Sequence, residues 1–135
     1  MVLGFIVVWK MLSYQAWILK TKLMFKYAII IPVYNEEKTL LKSLQSVRKL
    51  GSDLKEYEII VINDGSTDNT AKILEENKNL YDKLLINESN KGKGYSIKKG
   101  LIESKGTHII FYDSDLEYDP KDILKFRKIF LDFNA

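Results

Sequence analysis

Beyond position 26, apolar residues fall into four short runs, 28–33, 59–62, 84–86 and 108–112, three of them rich in Ile and Val or Leu and the last carrying Phe111 and Tyr112. Runs of this length and content predict strands buried in a sheet. Between them the period changes. Leu40, Leu44 and Val47 recur at helical spacing with Leu41 and Leu50 alongside, and Gly51 follows as a C-terminal stop. Ala71 and Leu74 form the inner stripe of a second, more polar helix, for which Ser66 or Asp68 is the N-cap. Ile97 and Leu101 mark a third, shorter helix, and 122–133 a fourth. Strand, helix and strand repeated in this way predict right-handed crossovers, hence an α/β fold with a mostly parallel sheet and helices on both faces.

The segment 1–26 stands outside that alternation. Met1 to Trp9 is apolar, Lys10 interrupts, and a second stretch containing Ser13, Tyr14 and Gln15 runs to Leu19 before the Lys-rich 20–26. A membrane-spanning helix needs about 20 mostly apolar residues. The segment is therefore a candidate membrane-associated leader, or an amphipathic one ahead of a domain that begins near Met24, and 27–135 is the α/β domain. No small-residue cleavage site precedes the lysines, which argues against a cleaved signal.

Composition narrows the chemistry. A chain of 135 residues that is 46% hydrophobic has material for one core and not for two. Lys and Arg outnumber Asp and Glu by 21 to 18, which suits a phosphate-bearing ligand but lacks the clustered basic face of a nucleic-acid binder. There is no cysteine, so disulfides and thiolate metal sites are excluded, and one histidine, His108, leaves little for zinc or a His-centred triad. A metal here would sit on oxygen ligands.

In open parallel sheets the ligand lies beyond the carboxyl ends of the strands, so the residues after each apolar run are the informative ones. They are Pro32-Val33-Tyr34-Asn35-Glu36-Glu37, Asn63-Asp64-Gly65-Ser66-Thr67-Asp68, Asn90-Lys91-Gly92-Lys93-Gly94 and Asp113-Ser114-Asp115. Asp113 and Asp115 leave the sheet close together, and two such carboxylates suit an oxygen-liganded Mg2+ or Mn2+ that shares its shell with substrate phosphates. A solvated Asp-Ser-Asp turn is the alternative. Asp64 points toward the same crevice, where it can accept from a base N–H, although Asp64-Gly65-Ser66 also suits a tight turn. Gly92 and Gly94 with Lys91 and Lys93 can bring amides and ammonium groups to a diphosphate, or form a plain turn; they match neither the dinucleotide nor the P-loop glycine pattern.

Taken in order, Ile30 to Glu37, Val61 to Asp68, Asn90 to Gly94 and Asp113-Ser114-Asp115-Leu116-Glu117-Tyr118-Asp119-Pro120 resemble the motifs of family 2 glycosyltransferases, dolichol-phosphate mannose synthases and polyprenyl-phosphate glucosyltransferases in particular. The resemblance implies a GT-A fold and a nucleotide-diphosphate-sugar donor, UDP- or GDP-linked. It also implies Mg2+ or Mn2+, inverting transfer to a lipid-phosphate or saccharide acceptor, and a cytoplasmic place, at a membrane face if the leader associates with one. By the same resemblance Pro32, Tyr34 and Glu36 line the nucleoside pocket and Asp64 reads the base. Lys93 serves the diphosphate, Asp113 lies near ribose and metal, Asp115 ligates the metal, and Glu117 stands where some members add a ligand. Family members continue well past this chain's last residue, so the expectation is a fragment that stops before the acceptor half, with the catalytic base after Ala135. Two alternatives remain: a non-catalytic nucleotide-binding remnant, and a haloacid-dehalogenase-type phosphatase. The latter places its Asp-x-Asp on a first strand, and only 20 residues follow Asp115 here.

Overall fold

The computed structural model describes residues 27–50, 57–117, 119–125 and 128. The leader, Gly51 and much of the expected fourth helix lie outside the described residues; helical backbone is present at 122–125. Among the described residues no helix is long and apolar enough to cross a membrane.

The four apolar runs are strands β1 (Tyr27–Val33), β2 (Tyr57–Asp64), β3 (Lys83–Asn87) and β4 (His108–Phe111). All neighbours pair in parallel, in the order β3-β2-β1-β4. The two central strands carry the core: all of β2 is buried, and all of β1 except the half-buried Pro32. The outer strands are not the buried strands their apolar runs predict. Ile86 on β3 is 60% exposed and Phe111 on β4 is 54% exposed, because each strand has a partner on one side only among the described residues.

Helices α1 (Leu40–Arg48), α2 (Thr70–Glu76) and α3 (Lys93–Glu103) fill the crossovers. Strand residues alternate between two cores. Ile29, Ile31, Val33, Ile59 and Val61 pack with Leu40, Leu44, Val47 and Leu74 from α1 and α2, whereas Ile30, Ile60 and Ile62 face the other way with Leu85 and Ile109. The second core is roofed by α3. The chain moves from β1 through β2 to β3 and then returns past β1 to β4, so crossovers of one hand must put α3 on the opposite face from α1 and α2.

Two helices bury different residues from those the pattern predicts. On α2 the buried positions are Thr70 and Leu74, and Ala71 is exposed. On α3 they are Ser96 and Gly100 rather than Ile97 and Leu101, and at 11 residues it is the longest helix described. A Cβ on Gly100 would lie 2.9 Å from Ile30 Cγ2 and from Ile62 Cδ1, so the helix backbone rests directly on the sheet. Only small residues fit that face.

Candidate functional site

The strand-order reversal lies between β1 and β4, and the loops at the carboxyl ends of β1, β2, β3 and β4 converge there. The first two are stitched together by their polar side chains. Asn35, held at φ 51°, accepts from Thr67 N–H at 2.8 Å through Oδ1, and its own N–H donates to Ser66 Oγ at 3.1 Å. Glu36 N–H donates to Thr70 Oγ1 at 2.9 Å, and Asn69 N–H donates to Glu37 Oε2 at 3.0 Å. Asp68 is not the N-cap of α2, and neither is Ser66; Asn69 holds that place without a side-chain bond. The Asp68 carboxylate instead accepts from Thr70 N–H at 2.9 Å and from Glu37 N–H at 3.3 Å. Burial works to raise its pKa, and the Thr70 and Glu37 hydrogen bonds outweigh that and hold it below the ordinary value.

Asp64 organises the third loop. It ends β2 directly opposite Asn87, and only 3% of it is exposed. Its Oδ1 accepts from Asn87 Nδ2 and from Lys91 N–H, both at 2.8 Å, and its Oδ2 accepts from Gly92 N–H at 2.9 Å. Burial again pushes the carboxyl up, and the donors from Asn87, Lys91, Gly92 and Ser96 bring it below its ordinary value. The group stays ionised at neutral pH. Close approach of the two loops depends on Gly65: its φ is +68°, and a Cβ there would stand 2.4 Å from the Ser89 carbonyl carbon.

The fourth loop closes the other side. Tyr112 N–H donates to Ile30 O at 3.0 Å, extending the β1–β4 ladder by one bond and setting Asp113 at the crevice. Lys93, the first residue of α3, reaches across so that its Nζ lies 2.5 Å from Asp113 Oδ1. Asp115 Oδ1 accepts from Glu117 N–H at 3.1 Å across Leu116, whose φ is 66°.

These loops enclose a cavity of about 370 Å3 whose lining includes Pro32, Tyr34, Glu36, Asp64, Lys93, Asp113 and Asp115. Seven of the eight residues to which the family resemblance gives a role therefore meet at one place, with Gly92 beside them, whereas Lys91 and Gly94 do not line it. Glu117 is exposed and does not line it. No group of three or more His, Cys, Asp or Glu side chains able to hold a metal ion is gathered among the described residues. The lining carries four carboxylates, from Glu36, Asp64, Asp113 and Asp115, against one ammonium, from Lys93. A diphosphate entering alone would meet repulsion, and a hard divalent cation would relieve it; the all-oxygen donor set suits such an ion.

Three contributors escape sequence reasoning. Ser114 is among the lining residues at 2% exposure, with a buried hydroxyl that has no partner among the described residues. Asn87 and Lys99 act from behind the wall: Lys99 Nζ donates to Asn87 Oδ1 at 2.9 Å. A serine between two aspartates draws no notice, and Asn87 and Lys99 are visible only once β3 and α3 are placed side by side. The location of Asp113 also removes the phosphatase alternative, which needs its Asp-x-Asp on a first strand, since among the described residues Asp113 follows the fourth strand, an outer one.

The family model "Glycosyl transferase family 2" matches residues 28–135. The chain is 39% identical over 102 residues to an undecaprenyl-phosphate 4-deoxy-4-formamido-L-arabinose transferase of Proteus mirabilis, covering 73% of this chain and 31% of that protein. It superimposes with a TM-score of 0.69 and 34% identity on Staphylococcus aureus TarS residues 1–349 in complex with UDP-GlcNAc, covering 79% of this chain and 31% of that one. A mannosyltransferase from Pyrobaculum calidifontis, in complex with GDP-Man and Mn2+, shares the fold at a TM-score of 0.65 and 22% identity, over 73% of this chain and 30% of that one. The chain spans less than half the length of the curated relatives it matches, 31% of the Proteus mirabilis transferase and 19% of a Staphylococcus aureus TarS. Its architecture is the GT-A fold of these transferases, of which it covers a part.

Proposed function

The chain belongs to glycosyl transferase family 2, and from that premise we propose that its cavity holds the nucleotide-sugar donor of a transfer reaction. The acceptor we assign is a lipid phosphate or a saccharide. The observation that carries this reading is the meeting of Pro32, Tyr34, Glu36, Asp64, Lys93, Asp113 and Asp115 at the strand-order reversal, in a cavity of about 370 Å3. That volume lies in the range of roughly 300 to 1,000 Å3 usual for small-molecule sites. The UDP-GlcNAc complex of TarS and the polyprenyl-phosphate substrate in the name of the Proteus mirabilis relative support the donor and acceptor classes.

In this account Pro32 and the exposed Tyr34 ring give the nucleoside an apolar surface, with Glu36 at its edge. The start of α3 and the Lys93 ammonium face the phosphates, as helix N-termini and lysines commonly do. Asp113 and Asp115 would hold Mg2+ or Mn2+. When bound, such an ion stabilises charge developing on the departing nucleoside diphosphate. Displacement at the anomeric carbon by the acceptor inverts its configuration.

Amide shifts of the labelled chain, recorded during titration with UDP- and GDP-sugars in diamagnetic Mg2+, test the assignment. Perturbation centred on Gly92, Lys93 and 113–115 is the expected result. A donor that leaves those residues unmoved while binding elsewhere contradicts it.

A further inference from the structure

Among the described residues two that are not glycine hold a positive φ, Asn35 at 51° and Leu116 at 66°. Asparagine tolerates that region, and Asn35 uses its side chain there to take the Thr67 amide at 2.8 Å. Leucine has no such use for it. A left-handed backbone pushes the Cβ against the following carbonyl, a cost that something nearby must offset. Burial is not what offsets it: Leu116 is 39% exposed and belongs to neither apolar core.

Leu116 spans a turn closed by its neighbours. Across it, Asp115 Oδ1 accepts from Glu117 N–H at 3.1 Å. A carboxylate that takes the N–H two residues on forms an Asx-turn, and such turns come in different hands according to the sign of φ at the middle residue. The bond alone does not dictate the hand; the backbone at 116 does. Reversing φ there turns the peptide plane that carries the Glu117 N–H, and Asp115 could then keep the bond only by changing rotamer. Its second oxygen would point elsewhere.

Both aspartates line the cavity, but they are held differently. Asp113 follows Tyr112, whose N–H continues the β1–β4 ladder, and its carboxylate is met by the Lys93 ammonium. Asp115 stands two residues further from the sheet, and the hydrogen bond that holds its carboxylate is the one from Glu117. We propose that Leu116 is a positioning residue: its left-handed backbone fixes the direction of the Asp115 carboxylate, and with it the pair of carboxylates offered to a divalent cation. The cation rests on the donor-site reading above; the fixed direction does not.

The experiment compares the whole chain with Leu116→Gly, Leu116→Asn and Leu116→Ile. Glycine and asparagine adopt positive φ readily, whereas isoleucine keeps the size and apolarity of leucine and, being β-branched, resists it. The series therefore separates backbone from side chain. Amide hydrogen exchange at Glu117 in EDTA and calorimetric titration of the nucleotide-free chain with Mn2+ are the readouts. Leu116→Ile is expected to speed exchange at Glu117 and to weaken Mn2+ binding, each about five- to tenfold, the factor that one disfavoured backbone conformation supplies. Leu116→Gly and Leu116→Asn should leave both within about twofold of the unaltered chain. The reverse order, with Leu116→Ile normal and the other two impaired, overturns the proposal, because the leucine side chain would then be what matters. Equal behaviour across the series overturns it too, as does faster exchange at Glu117 in Leu116→Ile with Mn2+ bound as tightly as before. If the unaltered chain binds no Mn2+ while exchange at Glu117 still follows the series, the fixed direction stands and the cation reading falls.

Discussion

Lys93 Nζ lies 2.5 Å from Asp113 Oδ1, joining the start of α3 to the loop after β4 across the cavity, with the two side chains 57% and 35% exposed. Half in water, such a pair contributes at most about 1 kcal/mol, so a ligand can displace it. The ammonium occupies one side of a carboxylate that the account gives to a divalent cation. Lys93→Ala should therefore tighten Mn2+ binding to the nucleotide-free chain by about two- to fivefold and weaken UDP or GDP binding by a similar factor. Calorimetric titrations of metal alone and of nucleotide decide the matter. Weaker Mn2+ binding in the variant would show that Lys93 supports the ion's site instead of competing for it.

Acid should loosen the loops before it unfolds the sheet. The Asp64 and Asp68 carboxyls are both held below their ordinary value of 3.8 by hydrogen bonds that outweigh burial. A group whose folded pKa is depressed binds more protons unfolded, so its contribution is full above the unfolded value and is lost as pH falls through the folded one. Urea unfolding at about pH 5 and about pH 3 should show a fall in stability for the unaltered chain. The double variant Asp64→Asn, Asp68→Asn should start lower and fall less. Parallel losses in the two proteins would place the acid sensitivity elsewhere.

The apolar runs of β1 and β2 were legible because both strands are buried on both faces, and Ile29 to Ile31 and Ile59 to Ile62 leave no other reading. Ile86 and Phe111 misled, since hydropathy does not show which strand will be outermost. The packing of α3 through Ser96 and Gly100 was invisible for a related reason: a helix that lies close to a sheet needs small residues, and small residues carry little hydrophobic signal. Order along the chain located the site, but it did not separate ligand-facing groups from groups that hold the loops. Asn35, Ser66, Thr67 and Asp68 bond one another's loops, and Asp64 bonds Lys91 and Gly92.

The close seat of α3 gives a stability prediction independent of ligand. Gly100→Val would drive side-chain atoms into Ile30 and Ile62, already 2.9 Å from a bare Cβ. Overpacking of that kind costs about 1 to 3 kcal/mol. Thermal unfolding should show a lowered midpoint, and Leu101→Ala, on a residue 38% exposed, should change it far less. Equal effects would mean that α3 does not rest on the sheet through Gly100.

Metal dependence of nucleoside-diphosphate binding is the most direct measure of the account, because the cavity's carboxylates leave a diphosphate little reason to enter without a cation. UDP and GDP are titrated into the chain and into Asp115→Ala, each in Mn2+ and again in EDTA. For the unaltered chain, affinity should drop at least about tenfold in EDTA. For Asp115→Ala it should already be low and indifferent to the metal. Equal affinity of the unaltered chain with Mn2+ and with EDTA would contradict the claim that Asp113 and Asp115 hold a cation on the donor.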